Sequence, residues 1–139
     1  MTKRNFSRVI PLLLIIAFSA TYVDSAARAD NASGVAYQTV TIEGVDIFYR
    51  EAGDPDRPTL LLLHGFPTSS HMFRDLITEL ADEYHLVAPD YPGYGFSSMP
   101  AVDEFDYSFD NIAEIMAQFV DTIGIDRFSL YLMDYGAPV

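Results

Sequence analysis

The sequence predicts an α/β protein, with an antiparallel first hairpin leading into a mostly parallel sheet flanked by helices. Three observations carry this. The β-rich runs Gln38 to Ile42 and Val45 to Ala52 are separated only by Glu43-Gly44, a hairpin signal. Thr59 to Leu63 is a continuous apolar run too short for a helix, as expected of a parallel strand buried on both faces. Beyond it, stretches with helical spacing alternate with short apolar runs.

Each later element follows from local signals. Gly53-Asp54-Pro55-Asp56-Arg57-Pro58 is a turn cluster before the third strand. The loop His64-Gly65-Phe66-Pro67-Thr68-Ser69-Ser70 leads into a helix with Met72, Phe73, Leu76, Ile77 and Leu80 on one face and Ser69 or Ser70 as N-cap. His85 to Ala88 reads as a strand, and Asp90 to Pro100, with Pro92, Gly93, Gly95 and Pro100, as a loop. A second helix runs from about Phe109 to Ile123, capped by Ser108 and stopped by Gly124. Phe128 to Met133 is the last strand.

The 139 residues are enough for one small domain. Lys3, Arg4 and Arg8 precede an apolar run from Val9 to Ala20, and Ala27-Arg28-Ala29 follows with small residues. A membrane span needs about 20 apolar residues, so this run fits the core of a signal peptide better than an anchor. Residues 1–29 are therefore expected to be a signal peptide cleaved after Ala29, residues 30–36 a flexible lead-in, and residues 37–139 the domain. The chain is expected to be exported, periplasmic or secreted, with no stable membrane span after cleavage.

The chain carries a net charge of -12; residues from 30 onward hold four arginines, no lysine and 19 acidic residues. Such a surface excludes a basic patch for nucleic acid or anionic lipid. The absence of cysteine excludes disulfides, thiolate metal sites and a cysteine nucleophile. No metal cluster with credible spacing and no phosphate loop is present, so no cofactor and no metal are expected.

In an open parallel sheet, ligands sit beyond the carboxyl ends of the strands. Two segments meet that description: the loop after Leu63 and the turn after Met133. In the second, a strand ends, Asp134 follows, and Gly136-Ala137 come at once. Small neighbours permit a sharp strand-to-helix turn that presents the polar residue at the top of the sheet.

These segments resemble the α/β-hydrolases over about Val40 to Val139, and most closely the aspartate-nucleophile branch of haloalkane dehalogenases, epoxide hydrolases and fluoroacetate dehalogenases. His64-Gly65-Phe66-Pro67 is similar to the HGxP oxyanion loop. Asp90-Tyr91-Pro92-Gly93-Tyr94-Gly95-Phe96-Ser97-Ser98 is similar to the G-x-G-x-S loop. Leu132-Met133-Asp134-Tyr135-Gly136-Ala137 is similar to the nucleophile elbow. The resemblance implies that Asp134 is the nucleophile, that the backbone N–H groups of Phe66 and Tyr135 form the oxyanion hole, and that His64, Gly65, Pro67 and Gly136 shape the loops. The implied reaction opens a small organic halide or epoxide through an alkyl–enzyme ester, then hydrolysed by water.

Where the branch usually has Trp after the nucleophile, this chain has Tyr135; where many dehalogenases have a halide-binding Asn, it has Phe66. The halide and epoxide readings both stay open. The implied general base, a histidine after the nucleophile, is missing, since His64, His71 and His85 all precede Asp134. His64 is expected to be structural, His71 exposed, and His85 a core or edge residue. Nothing in the sequence covers the far edge of the Asp134 strand, so the chain is expected to be the N-terminal part of a longer hydrolase, inactive alone. A non-catalytic remnant or pseudoenzyme is the alternative. An ester hydrolase with Asp replacing Ser is the weaker third reading.

Overall fold

The computed structural model describes residues 34–139, so the expected signal peptide over 1–29 lies outside the described residues. Among the described residues, five strands form one sheet: β1 (Ala36–Ile42), β2 (Val45–Ala52), β3 (Thr59–Leu63), β4 (His85–Pro89) and β5 (Phe128–Leu132), in the order β1-β2-β4-β3-β5. β2 pairs antiparallel with β1 and with β4, while β3 pairs parallel with β4 and with β5. The hairpin thus forms one edge and leads into a parallel set of three strands. A 3-10 turn (Ser70–Phe73) leads into α1 (Arg74–Leu80), and α2 is Phe109–Thr122.

Alternation along β3 builds the layers. Leu61 and Leu63 face the core against α2, where Ile112, Ile115, Met116, Phe119 and Val120 pack beneath Ile47, Tyr49 and Val87. Leu62 faces the other way, into a smaller core with Leu86, Ala88, Phe73 and Ile77 beneath α1. One helix therefore covers each face. All of β4 is buried, as a strand covered on both faces must be. The expected caps form: Ser69 Oγ accepts from His71 N, and Ser108 Oγ from Asn111 N.

Of the lead-in expected over 30–36, residues 34–36 are described. Val35 is buried beside Ala52 and Ile77, and Ala36 opens β1 opposite Glu51. Small apolar residues there complete a ladder and a core. β5 lies at the other edge, and all five of its residues are exposed, Leu130 by 51%. No helix among the described residues is long and apolar enough to cross a membrane.

Candidate active site

The loop after β3 and the turn after β5 meet at the carboxyl end of the sheet. Met133 N donates to Leu63 O at 3.1 Å, carrying the β3–β5 ladder one residue past β5. The backbone then reverses. Met133 is extended, Asp134 has φ of +48°, and Asp134–Gly136 form a 3-10 turn. A left-handed aspartate costs about 1–2 kcal/mol, and the surrounding packing holds it there.

Two glycines make the approach possible. A Cβ on Gly136 would lie 2.5 Å from Leu63 O, and one on Gly65 would lie 2.5 Å from Asp134 Cβ. Both distances are far inside contact range, so the two segments touch backbone to backbone only because these side chains are absent.

The result is a convergent geometry. Phe66 N donates to Asp134 Oδ1 at 3.0 Å, and Tyr135 N donates to the same oxygen at 2.8 Å. Oδ2 has no hydrogen bond among the described residues and is the carboxylate oxygen open to a ligand. Asp134 is exposed. Beside it, the Phe66 and Tyr135 rings lie 5.5 Å apart, and Phe109 meets Tyr135 edge-on at 5.1 Å. Chemically, this arrangement offers one carboxylate oxygen to an electrophile and places two donors where negative charge would gather on the other.

His64 is fully buried and shapes this loop. Its Nε2 accepts from Tyr91 N at 3.3 Å, and a backbone N–H can only donate. The ring proton is therefore on Nδ1, which donates to Gly65 O at 3.1 Å. The ring stacks on Tyr91 at 4.1 Å. Burial holds its pKa below the ordinary imidazole value, against the raising effects of the Gly65 hydrogen bond and the Asp90 charge. Thr68 N and Oγ1 both donate to Gly65 O, closing the loop through Pro67. The sequence-predicted residues Asp134, Phe66, Tyr135, Gly65, Gly136, His64 and Pro67 thus come together. His71 is exposed at the start of the 3-10 turn, and His85 lies at the opposite end of the sheet, where β4 begins.

Two residues that the sequence marks only as parts of the loop after β4 have specific roles. Asp90, fully buried, accepts from Ser70 N at 2.6 Å and Phe96 N at 2.9 Å, tying the loop after β3 to the loop after β4. Gly95 is bound up with this tie, because its Cβ would fall 1.9 Å from Asp90 Oδ2. Read from sequence, Gly95 is ordinary turn chemistry. Tyr94 stands beside the site: burial first, then the charges of Tyr135 and Asp134, push its phenol pKa up, so its hydroxyl stays protonated at neutral pH. Among the described residues, no group of His, Cys, Asp and Glu is arranged to hold a metal ion.

Comparison with known proteins agrees with this geometry. Residues 58–138 match the family model for the alpha/beta hydrolase fold. An uncharacterized hydrolase of Saccharomyces cerevisiae is 50% identical over 97 residues, 70% of this chain and 33% of that protein. Epoxide hydrolase A of Mycobacterium tuberculosis is 38% identical over 101 residues, 72% of this chain and 31% of that protein. The crystal structure of haloalkane dehalogenase DbeA from Bradyrhizobium elkani superposes with a TM-score of 0.69 at 34% identity, covering 73% of this chain and 34% of that one. The chain spans about a third of the length of these relatives. With its mixed sheet, its two loops meeting at the carboxyl ends of the strands and this family match, the chain belongs to the alpha/beta hydrolase fold family.

Proposed function

We propose that Asp134 is the nucleophile of a hydrolase acting on a small organic halide or epoxide. The single observation that carries this reading is the pair of backbone N–H groups, from Phe66 and Tyr135, on one oxygen of a left-handed aspartate. A carboxylate nucleophile, unlike a hydroxyl, needs no base to attack. Asp134 Oδ2 bonds to the sp³ carbon as the halide leaves as an anion, or as the epoxide C–O bond opens and its oxygen takes a proton from solvent, giving an alkyl–enzyme ester. Water then attacks the Asp134 carbonyl carbon, and charge gathers on Oδ1 between the two donors. Each such donor is typically worth about 3 kcal/mol of barrier. Relatives named as an epoxide hydrolase and as haloalkane dehalogenases support the substrate class.

The second step needs a general base, and none of His64, His71 or His85 hydrogen-bonds to Asp134. With the described residues alone, the ester forms once and stays. Export of the chain, expected from residues 1–29, belongs to the same proposal and is checked by N-terminal sequencing of the protein recovered outside the cytoplasm. The function is tested by incubating the chain with a small epoxide and with a haloalkane and measuring its intact mass. One alkyl group per chain is expected, and none on Asp134→Asn. Equal labelling of both chains, or no labelling of a folded chain, rejects Asp134 as nucleophile.

A further inference from the structure

At the end of the sheet opposite Asp134, three side chains far apart in sequence form a continuous hydrogen-bonded line. Thr59 opens β3 and His85 opens β4, and the parallel pairing places them directly side by side. Thr59 Oγ1 lies 3.1 Å from His85 Nδ1, and His85 Nε2 lies 2.9 Å from Glu51 Oε1. The other Glu51 oxygen accepts from Gln38 Nε2 across the β1–β2 pairing. The His85 side chain is only 7% exposed and that of Glu51 19%.

The protons of this line follow from the partners. An ionised Glu51 can only accept, so Nε2 of His85 carries the hydrogen. In the neutral ring Nδ1 is then an acceptor, and the Thr59 hydroxyl donates to it. A hydroxyl on an imidazole whose far nitrogen is held by a carboxylate is the arrangement that activates an alcohol as a nucleophile. The Asp134 chemistry uses none of these residues.

The line opens into a groove of about 680 Å³. Thr59, His85 and Glu51 line it, together with Arg57 and Arg127. Arg57 is two residues before Thr59, and Arg127 precedes Phe128, which pairs across from Thr59. Half of the arginines beyond residue 29 therefore border this groove on an otherwise acidic chain.

We propose that Thr59, His85 and Glu51 form a second reactive site, in which Thr59 accepts the acyl group of small carboxylic esters. Thr59 Oγ1 bonds to the acyl carbon while its proton passes to His85 Nδ1. The acyl C–O bond to the leaving group breaks, and the leaving oxygen takes the proton from Nδ1. Water, deprotonated by the same nitrogen, then attacks the acyl–Thr59 ester, releases the carboxylic acid and restores the hydroxyl. Glu51 holds the imidazole and its charge throughout.

The test treats the full chain with excess p-nitrophenyl acetate, quenches in acid while substrate remains so that the acyl–Thr59 ester is trapped, and maps acetylation by peptide mass spectrometry, with circular dichroism to confirm folding. An acetyl group on Thr59 is expected in the wild-type chain and equally in Asp134→Asn, which separates this site from the Asp134 reading. Thr59→Ser keeps the label and Thr59→Val loses it. His85→Gln slows acetylation by about 100-fold, the usual scale of a general base. If Thr59→Val fails to fold, the wild-type map and Thr59→Ser decide alone. A folded wild-type chain without acetyl on Thr59, or a His85→Gln chain labelled at the wild-type rate, overturns the proposal.

Discussion

Alanine at Gly65 perturbs the Asp134 site without touching its chemical groups. The new Cβ would lie 2.5 Å from Asp134 Cβ, 2.9 Å from Met133 O and 3.1 Å from Asp134 Oδ1. Carbon atoms pack at about 3.5 Å or more, so the loop and the elbow must part by about 1 Å. The Phe66 N···Oδ1 bond is 3.0 Å, and opened by that amount it leaves hydrogen-bonding range. Asp134 then loses one of its two anchors and Oδ2 its aim. A displacement of about 1 Å at a reacting group can slow a reaction about 100-fold. Overpacking also lowers stability, by about 1–3 kcal/mol. The assay follows alkylation of the chain by a small epoxide through its intact mass. Gly65→Ala is expected to react about 100-fold more slowly while keeping its far-ultraviolet circular dichroism. Gly124→Ala is the control: its Cβ meets nothing within 4 Å, and its φ of +77° costs about 1–2 kcal/mol of stability only. A Gly65→Ala chain alkylated at the wild-type rate would refute the reasoning, because Phe66 N would then play no part in aiming the carboxylate.

Other consequences concern stability. Burial holds the His64 pKa below its unfolded value of about 6.5, so in the window beneath that value the unfolded chain binds more protons than the folded one. Stability is therefore full above about pH 6.5 and falls as pH drops below it, and the melting temperature of His64→Gln should lose that slope. Phe119 is fully buried and meets Tyr49 edge-on at 5.1 Å, so Phe119→Ala should lose about 3–5 kcal/mol in denaturant titration. Ser108→Ala removes the cap on Asn111 N and should lower stability by about 1 kcal/mol, read from the same titration.

What could be read from the sequence was whatever local spacing encodes. The elements of the sheet, the Ser69 and Ser108 caps and the stop at Gly124 follow from apolar periodicity and turn residues a few positions apart. The elbow was legible because crowding at a sharp turn demands small neighbours, and Gly136-Ala137 stand beside Asp134. The structure adds what strand order brings together. Asp90 tethers Ser70 and Phe96 across two loops, a role that its place at the head of the G-x-G-x-S-like loop does not reveal. Thr59, His85 and Glu51 become neighbours only because β4 inserts between β2 and β3. Arg50 shows the same effect. Its guanidinium lies 4.9 Å from the centre of the Tyr37 ring, directly across the hairpin, and its Nε reaches Ser70 Oγ beyond the sheet. Val35 carries no local signal of burial, and its place in the core comes from packing with Ala52 and Ile77.

The central claim is that Asp134 Oδ2 bonds to carbon, and the most direct test is to find that bond. The chain is treated with one equivalent of a small epoxide, digested at low pH and sequenced by tandem mass spectrometry. The account predicts a single alkyl ester on Asp134, persisting without release of the diol. An alkyl group on a different residue, or an unmodified Asp134 in a chain shown to be folded, would contradict it.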